Sequence, residues 1–149
     1  MRNQRAEEIP QLFAYAQVLL AISLTEARYG TTHTPAKFWA RWRDEQFDQA
    51  QLRQLKNLPL PAATRDALLA GKPAPLRTYC QALWAKPMLP TEQDLLLAGL
   101  LTPDRLLEVL RGFVLFDRKV GKIVARYQQF FGIRALLAQI RTHRPDGGR

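Results

Sequence analysis

The spacing of hydrophobic positions near the N-terminus predicts strands. Residues 17–23 contain a continuous apolar run from Val18 to Ile22, which is typical of a strand buried on both faces. Residues 26–32 bring strand-forming and turn-forming types, so the two segments together predict a β-hairpin. Before them, Pro10 can occupy the first position of a short helical turn. Because two strands alone are marginally stable, we expect the hairpin to join a larger sheet.

The pattern then changes to helical spacing. The Thr-Pro pair at residues 34–35 has the residue types preferred at an N-cap and at the first helical position. Phe38, Trp39 and Trp42 would then share one face of a helix. The polar residues 44–56 predict a further helix.

A proline-rich stretch follows. Six of the ten prolines lie between residues 59 and 90, and proline breaks helices and removes ladder donors. We therefore expect short helices and turns here. This stretch divides the chain into three predicted parts, residues 1–57, a connector at 58–90, and residues 91–149.

Regular structure is predicted to resume at residue 91. Thr91 and Asp94 have the spacing of a capping box, with Asp in the place of Glu. A second helix should restart at Pro103, present leucines and valine to a core, and end at Gly112. Residues 113–116 predict a short strand, and residues 119–122 a turn into the last helix.

The predicted fold class is α+β and predominantly helical. It comprises a β-hairpin near the N-terminus, short helices with a proline-rich connector, and then two to three helices with one short strand.

Charge and cysteine content indicate which kind of partner and which compartment suit this chain. The chain carries 22 Lys and Arg against 13 Asp and Glu, a formal net charge of +9, which favours polyanionic partners, although many basic proteins bind none. Cys80 is the only cysteine, as suits a reducing compartment. With no signal-peptide pattern and no apolar run long enough to cross a bilayer, we predict a cytoplasmic protein without membrane contact.

Catalytic and metal-binding patterns are missing from the sequence. His33 and His143 stand far apart without a partner pattern. There is no glycine-rich phosphate loop and no Asp…Glu-x-Lys set of the kind that nucleases use. We therefore predict no catalytic residue, no metal site and no cofactor bound by this chain.

The last helix offers one candidate constellation. Six residues at spacings of three and four predict a core-facing stripe: Ile123, Tyr127, Phe130, Ile133, Leu137 and Ile140. Gln129 falls off this stripe. Its amide can donate and accept at once, which suits N6 and N7 of adenine, and Tyr127 and Phe131 could flank a base. The alternative is a solvated glutamine on an amphipathic helix.

The same region is cationic. Residues 117–149 hold eight Lys and Arg against two acids, and Arg126, Arg134 and Arg141 are the predicted neighbours of DNA phosphates.

Three blocks of the sequence, in order, resemble one family. Residues 123–136 resemble the segment entering the motor domain of the restriction (R) subunit of type I restriction–modification enzymes. Residues 106–116 resemble the helix and strand just before it, and residues 9–13 with 26–31 resemble the segment after the nuclease's catalytic strand. Gly132 departs from the alanine usual in the family, and Gln128 from its histidine.

The resemblance implies roles for two of the three predicted parts. Residues 1–57 would be the tail of a nuclease-like domain, and residues 91–149 the helical lead-in to the motor, with Gln129 as the glutamine that reads ATP adenine and Tyr127 beside it. ATP and Mg²⁺ would serve the parent, together with DNA and the methylation and specificity subunits. The nuclease residues and phosphate loop would lie outside this chain, so we expect a fragment without nuclease or ATPase activity of its own.

Two alternatives remain at this stage. The chain could be a stand-alone basic module that binds nucleic acid through its last helix, or an inactive remnant of a broken gene.

Overall fold

The computed structural model describes residues 4–44 and 47–143 of the 149-residue chain. The predicted domain ranges also include residues outside these limits. The described helices are α1 (Gln49–Lys56), α2 (Ala62–Leu69), α3 (Ala74–Trp84), α4 (Glu92–Leu100), α5 (Pro103–Gly112) and α6 (Tyr127–His143). The strands are β1 (Leu19–Ile22), β2 (Ala27–Gly30), β3 (Val114–Asp117) and β4 (Gly121–Val124). The predicted α+β, predominantly helical class is confirmed.

The predicted N-terminal hairpin is confirmed, but among residues 4–44 and 47–143 it does not join a larger sheet. β1 pairs with β2 in antiparallel register, from Leu19 opposite Gly30 to Ile22 opposite Ala27. The only addition within the described residues is a bridge between Tyr29 and Ala40, made by two backbone hydrogen bonds of 2.8 and 3.0 Å. The hairpin gains its stability from packing on the helices instead.

The expectation that β1 is buried on both faces was wrong. Leu19 and Leu20 are half-buried, while Ala21 and Ile22 are exposed. β2 carries the burial, since Ala27, Tyr29 and Gly30 are buried. A continuous apolar run does not reveal whether another element packs on the second face of the strand.

The predicted helix after Thr34 was also wrong. Ala36–Phe38 forms only a short 3-10 turn, and Trp39 leaves it in an extended conformation. The indole Nε1 of Trp39 donates to the Thr34 carbonyl at 3.0 Å, which holds the ring on Gly30. Trp42 points instead into the core, and Phe38 is exposed.

One hydrophobic core contains residues from the first and the last thirds of the chain. Its buried residues are Ala27, Tyr29, Trp42, Leu96, Leu100, Val109, Phe113 and Phe130. The Trp42 ring lies 5.8 Å from Tyr29 and 5.3 Å from Phe130 between centroids. Side chains from the predicted first and third parts therefore pack in the same interior.

An arginine on α5 packs over aromatic rings of this core. The Arg105 guanidinium lies 5.6 Å from the Phe130 ring and 5.3 Å from the Phe131 ring. It also donates to Asp44 at 2.7 Å and to the Gly99 carbonyl at 3.2 Å. Arg105 thereby ties the residues after the N-terminal hairpin to α4 and α6.

Local helix signals were predicted well. The capping box of α4 is formed by Thr91 and Asp94, and α5 runs from Pro103 to Gly112. The 58–90 stretch holds α2 and α3, whose residues are mostly exposed. Among the described helices, none is both long and apolar enough to span a membrane.

Two expectations about the last segment were wrong. Residues 119–122 do not lead straight into a helix, since they complete a second hairpin in which Val114 faces Val124 and Asp117 faces Gly121. The apolar stripe of α6 is also not a core face. Phe130 is fully buried, but Ile133, Leu137 and Ile140 are each about 45% exposed, because no described element packs against the second half of the helix.

The chain exposes far more surface than its mass requires. Its accessible area is 11637 Å², whereas a compact monomer of 17.1 kDa exposes about 7,700 Å². Among the described residues, large apolar side chains are exposed on α2, α3, β3 and α6.

Candidate functional site

A pocket of about 340 Å³ lies between β2, β4 and the first turn of α6. Its lining residues are Tyr29, Gly30, Thr34, Phe38, Ala40, Ile123, Val124, Arg126 and Gln129. Two of the five predicted site residues, Arg126 and Gln129, are therefore brought together here.

Hydrogen bonds between the two hairpins fix the walls of this pocket. The Tyr29 hydroxyl donates to the Ala125 carbonyl at 2.9 Å, and the Thr31 hydroxyl donates to the Lys122 carbonyl. Burial raises the pKa of the Tyr29 hydroxyl well above its ordinary value. The phenol therefore stays neutral and keeps its proton for the carbonyl.

Gln129 occupies the third position of α6 and contacts the backbone at its start. Its Oε1 accepts a hydrogen bond from the Arg126 N–H at 2.9 Å. This contact is half of a capping box, in which the side chain at N3 returns to the N-cap residue. Because an N–H must face an oxygen, the contact also fixes which way the amide points.

The geometry leaves part of the Gln129 amide available. The residue is exposed, and within the described residues its Nε2 makes no hydrogen bond. The Oε1 atom has a second lone pair. One acceptor site and two N–H donors therefore remain beside the pocket, which is the set that pairs with N6 and N7 of adenine.

Tyr127 does not line the pocket. Its ring is half-buried and packs against the core. Phe131 also turns inward, with its centroid 5.7 Å from Trp42 and 5.2 Å from Phe130. The rings flanking Gln129 in sequence thus serve packing.

The three predicted DNA-facing arginines do not form one cluster. Arg126 is exposed at the pocket. Arg134 pairs with Glu108 at 3.3 Å and lies over the Phe130 ring. Arg141 stands in the last turn of α6, about 22 Å from Arg126 along the helix axis at 1.5 Å of rise per residue.

Phe38 is the exposed aromatic residue among the pocket residues that the sequence analysis missed. It was expected to share one face of a helix with Trp39 and Trp42, yet the residue is 51% exposed and lines the pocket. The Tyr29–Ala40 bridge carries the segment past β2 and places it there. Nothing in the local pattern signals that long-range pairing.

The residues around the pocket can bind but hold no evident catalytic group. Its lining contains no Asp, Glu, His or Cys. Across residues 4–44 and 47–143, no group of three or more such side chains could hold a metal ion. Hydrogen bonding, an aromatic surface and one cationic side chain are what this site offers.

A larger open groove of about 650 Å³ lies between the ends of α1 and α3. The Asn57 amide holds its walls, since Nδ2 donates to the Met88 carbonyl at 2.9 Å and Oδ1 accepts from the Met88 N–H at 2.7 Å. We favour the smaller pocket as the functional site because it contains two residues that the sequence predicts to bind a ligand.

Comparison with known proteins gives one informative similarity. The chain is 28% identical over 134 residues to a Methanocaldococcus jannaschii protein named as a type I restriction enzyme MjaIXP endonuclease subunit. The match includes 87% of this chain and about 10% of that relative's length. No family model matches the chain, and no solved structure matches it.

Proposed function

We propose that this chain is a segment of a type I restriction enzyme R subunit, at the junction between its nuclease and its motor. The observation that carries the proposal is the similarity over 134 residues to a protein named as the endonuclease subunit of a type I restriction enzyme. That relative is about ten times longer than the matched segment, and in this proposal the catalytic residues of the whole protein lie outside that segment.

The surface of the chain supports a place within a larger protein. About 3,900 Å² more area is exposed than a compact monomer of this mass would show. Interfaces between domains of one chain commonly bury 600 to 1,500 Å². Several such contacts, on α2, α3 and the second half of α6, would account for the exposed apolar side chains.

In this proposal, Gln129 recognises the adenine of ATP in the parent. The Arg126 N–H fixes the orientation of the amide, and the remaining donors and acceptor contact the base. Tyr127 supports the turn from within the core rather than by stacking. Mg²⁺ and the triphosphate would be held by parts of the parent outside this chain.

The remaining proposed roles concern partners. DNA would be the polyanion that the net charge of +9 attracts, with Arg126, Arg134 and Arg141 among the contributing cations. Methylation and specificity subunits would complete the assembly in the cytoplasm. The chain by itself would neither hydrolyse ATP nor cleave DNA.

Sequencing the DNA on either side of the coding segment tests the parentage. In-frame Asp…Glu-x-Lys codons upstream and Gly-Lys-Ser or Gly-Lys-Thr codons downstream are the expected result. Open frames on both sides that lack these codons would contradict the assignment.

A further inference from the structure

The β3–β4 hairpin carries an exposed aromatic ring among cations. Phe116 is 75% exposed and stands opposite Lys122 in the strand register. The Lys122 Nζ lies 5.5 Å from the centre of the Phe116 ring. Arg118 and Lys119 follow in the turn between the strands, where both are exposed. An apolar ring this exposed has no packing role in the described structure.

A second ring belongs to the same surface. The Lys122 Nζ donates to the Ala16 carbonyl at 2.7 Å, which brings the segment containing Tyr15 next to the hairpin. Tyr15 is 91% exposed. Lys122 therefore contacts the Phe116 ring and the backbone of the residue that follows Tyr15. We call Tyr15, Phe116, Arg118, Lys119 and Lys122 the hairpin surface.

The charge of this surface is positive. Residues 114–124 hold Arg118, Lys119 and Lys122 against the single acid Asp117. The Asp117 Oδ1 accepts from the Lys119 N–H at 2.7 Å and from the Val120 N–H at 3.0 Å. The carboxylate is thus committed to the turn, whereas the cations at 118 and 119 extend into solvent.

Exposed rings interleaved with cations suit one class of partner. Single-stranded nucleic acids present flat bases that stack on aromatic side chains, and phosphates that Lys and Arg neutralise. Duplexes keep their bases stacked and offer phosphates alone to such a surface. We infer that the hairpin surface binds single-stranded nucleic acid, with Phe116 and Tyr15 as stacking platforms.

This inference goes beyond the role proposed for Gln129 and can fail separately from it. Gln129 lies at the pocket beside β2, and its contact with adenine would involve neither Phe116 nor Tyr15. Binding of an oligonucleotide that depends on Phe116 would stand even if Gln129 recognised no base.

The test uses the full chain and a fluorescein-labelled oligothymidylate of about 15 nucleotides, with anisotropy as the readout. Phe116→Ala should weaken binding at least fivefold, as the loss of about one stacked base predicts. Phe116→Tyr should bind within about twofold of the wild type because the ring remains.

Leu115→Ala is the matched control. Leu115 is 65% exposed on the same strand, but neighbouring strand residues point to opposite faces. Leu115→Ala should therefore bind the oligonucleotide with an affinity within about twofold of the wild type. The double variant R118Q/K119Q should reduce the slope of log affinity against log salt by about 1.4.

Circular dichroism of each variant checks that it retains the wild-type fold. The inference is overturned if the folded wild type does not bind the oligonucleotide in low salt. It is equally overturned if Phe116→Ala binds as tightly as Leu115→Ala, or if a matched duplex binds as tightly as the single strand.

Discussion

The hydroxyl of Tyr29 donates a hydrogen bond to the carbonyl of Ala125, 96 residues later in the chain. Tyr29 is fully buried on β2, and Ala125 connects β4 to α6. This contact fastens the N-terminal hairpin to the start of the last helix. It forms one wall of the pocket at which Gln129 lies.

Removing this hydroxyl should destabilise the fold. Tyr29→Phe leaves the Ala125 carbonyl without its partner inside the protein, which costs about 1–3 kcal/mol in the free energy of unfolding. Tyr79→Phe is the matched control, since Tyr79 is exposed on α3. Its substitution should change the free energy of unfolding by no more than about 0.5 kcal/mol. Urea unfolding followed by fluorescence measures both. Equal stability of the two variants would show that the contact contributes nothing.

Two helical glycines should respond oppositely to alanine. A Cβ at Gly99 would lie 2.7 Å from Trp42 Cδ1, so Gly99→Ala must displace a core indole and should cost about 1–3 kcal/mol. At Gly132 a Cβ meets no atom within 4 Å, so Gly132→Ala should gain about 0.5–1 kcal/mol from helix propensity. Thermal unfolding compares them. A stabilised Gly99→Ala variant would refute the packing of Trp42 on α4.

The capping box of α4 should make stability depend on pH. Burial of Asp94 opposes its ionisation, but hydrogen bonds from Lys56 and Thr91 outweigh burial and hold the pKa of the carboxyl below its ordinary value. A depressed pKa in the folded state stabilises the protein above the unfolded value of about 3.9. That contribution is lost as the pH falls through the folded pKa.

Asp94→Asn keeps an oxygen for the cap and removes the charge. Its free energy of unfolding should therefore lie below that of the wild type near neutrality and converge with it in acid. Asp66→Asn, at an exposed position of α2, should follow the wild type throughout. Parallel curves for Asp94→Asn and the wild type would exclude a contribution from the Asp94 charge.

The features that the sequence predicted are those determined by neighbouring residues. The Thr91–Asp94 box, the start of α5 at Pro103 and the β1–β2 hairpin each depend on a few adjacent positions. The β4 strand was missed because Lys119, Gly121 and Lys122 have the composition of a turn. Its pairing with β3 is nevertheless favourable, since Gly121 adopts a φ of +80° at the turn.

Long-range contacts account for the errors. Trp39 and Trp42 have helical spacing, but Trp39 packs on Gly30 and Trp42 on Gly99, so the segment between them is extended. For the same reason Phe38 reaches the pocket. Gln129 is exposed, and its bond to the Arg126 N–H depends on the turn geometry that begins α6, which the local pattern does not reveal.

Recognition of adenine by Gln129 is the central claim, and the side-chain amide itself reports on it most directly. In ¹⁵N-labelled protein, the Nε2 signals of Gln129 are assigned by their loss in Gln129→Ala, and those of the neighbouring Gln128 provide an internal control. Adenosine at millimolar concentration should shift the Gln129 signals and leave Gln128 unchanged, while guanosine should shift neither. Unchanged Gln129 signals with adenosine, or equal shifts with both nucleosides, would contradict the account.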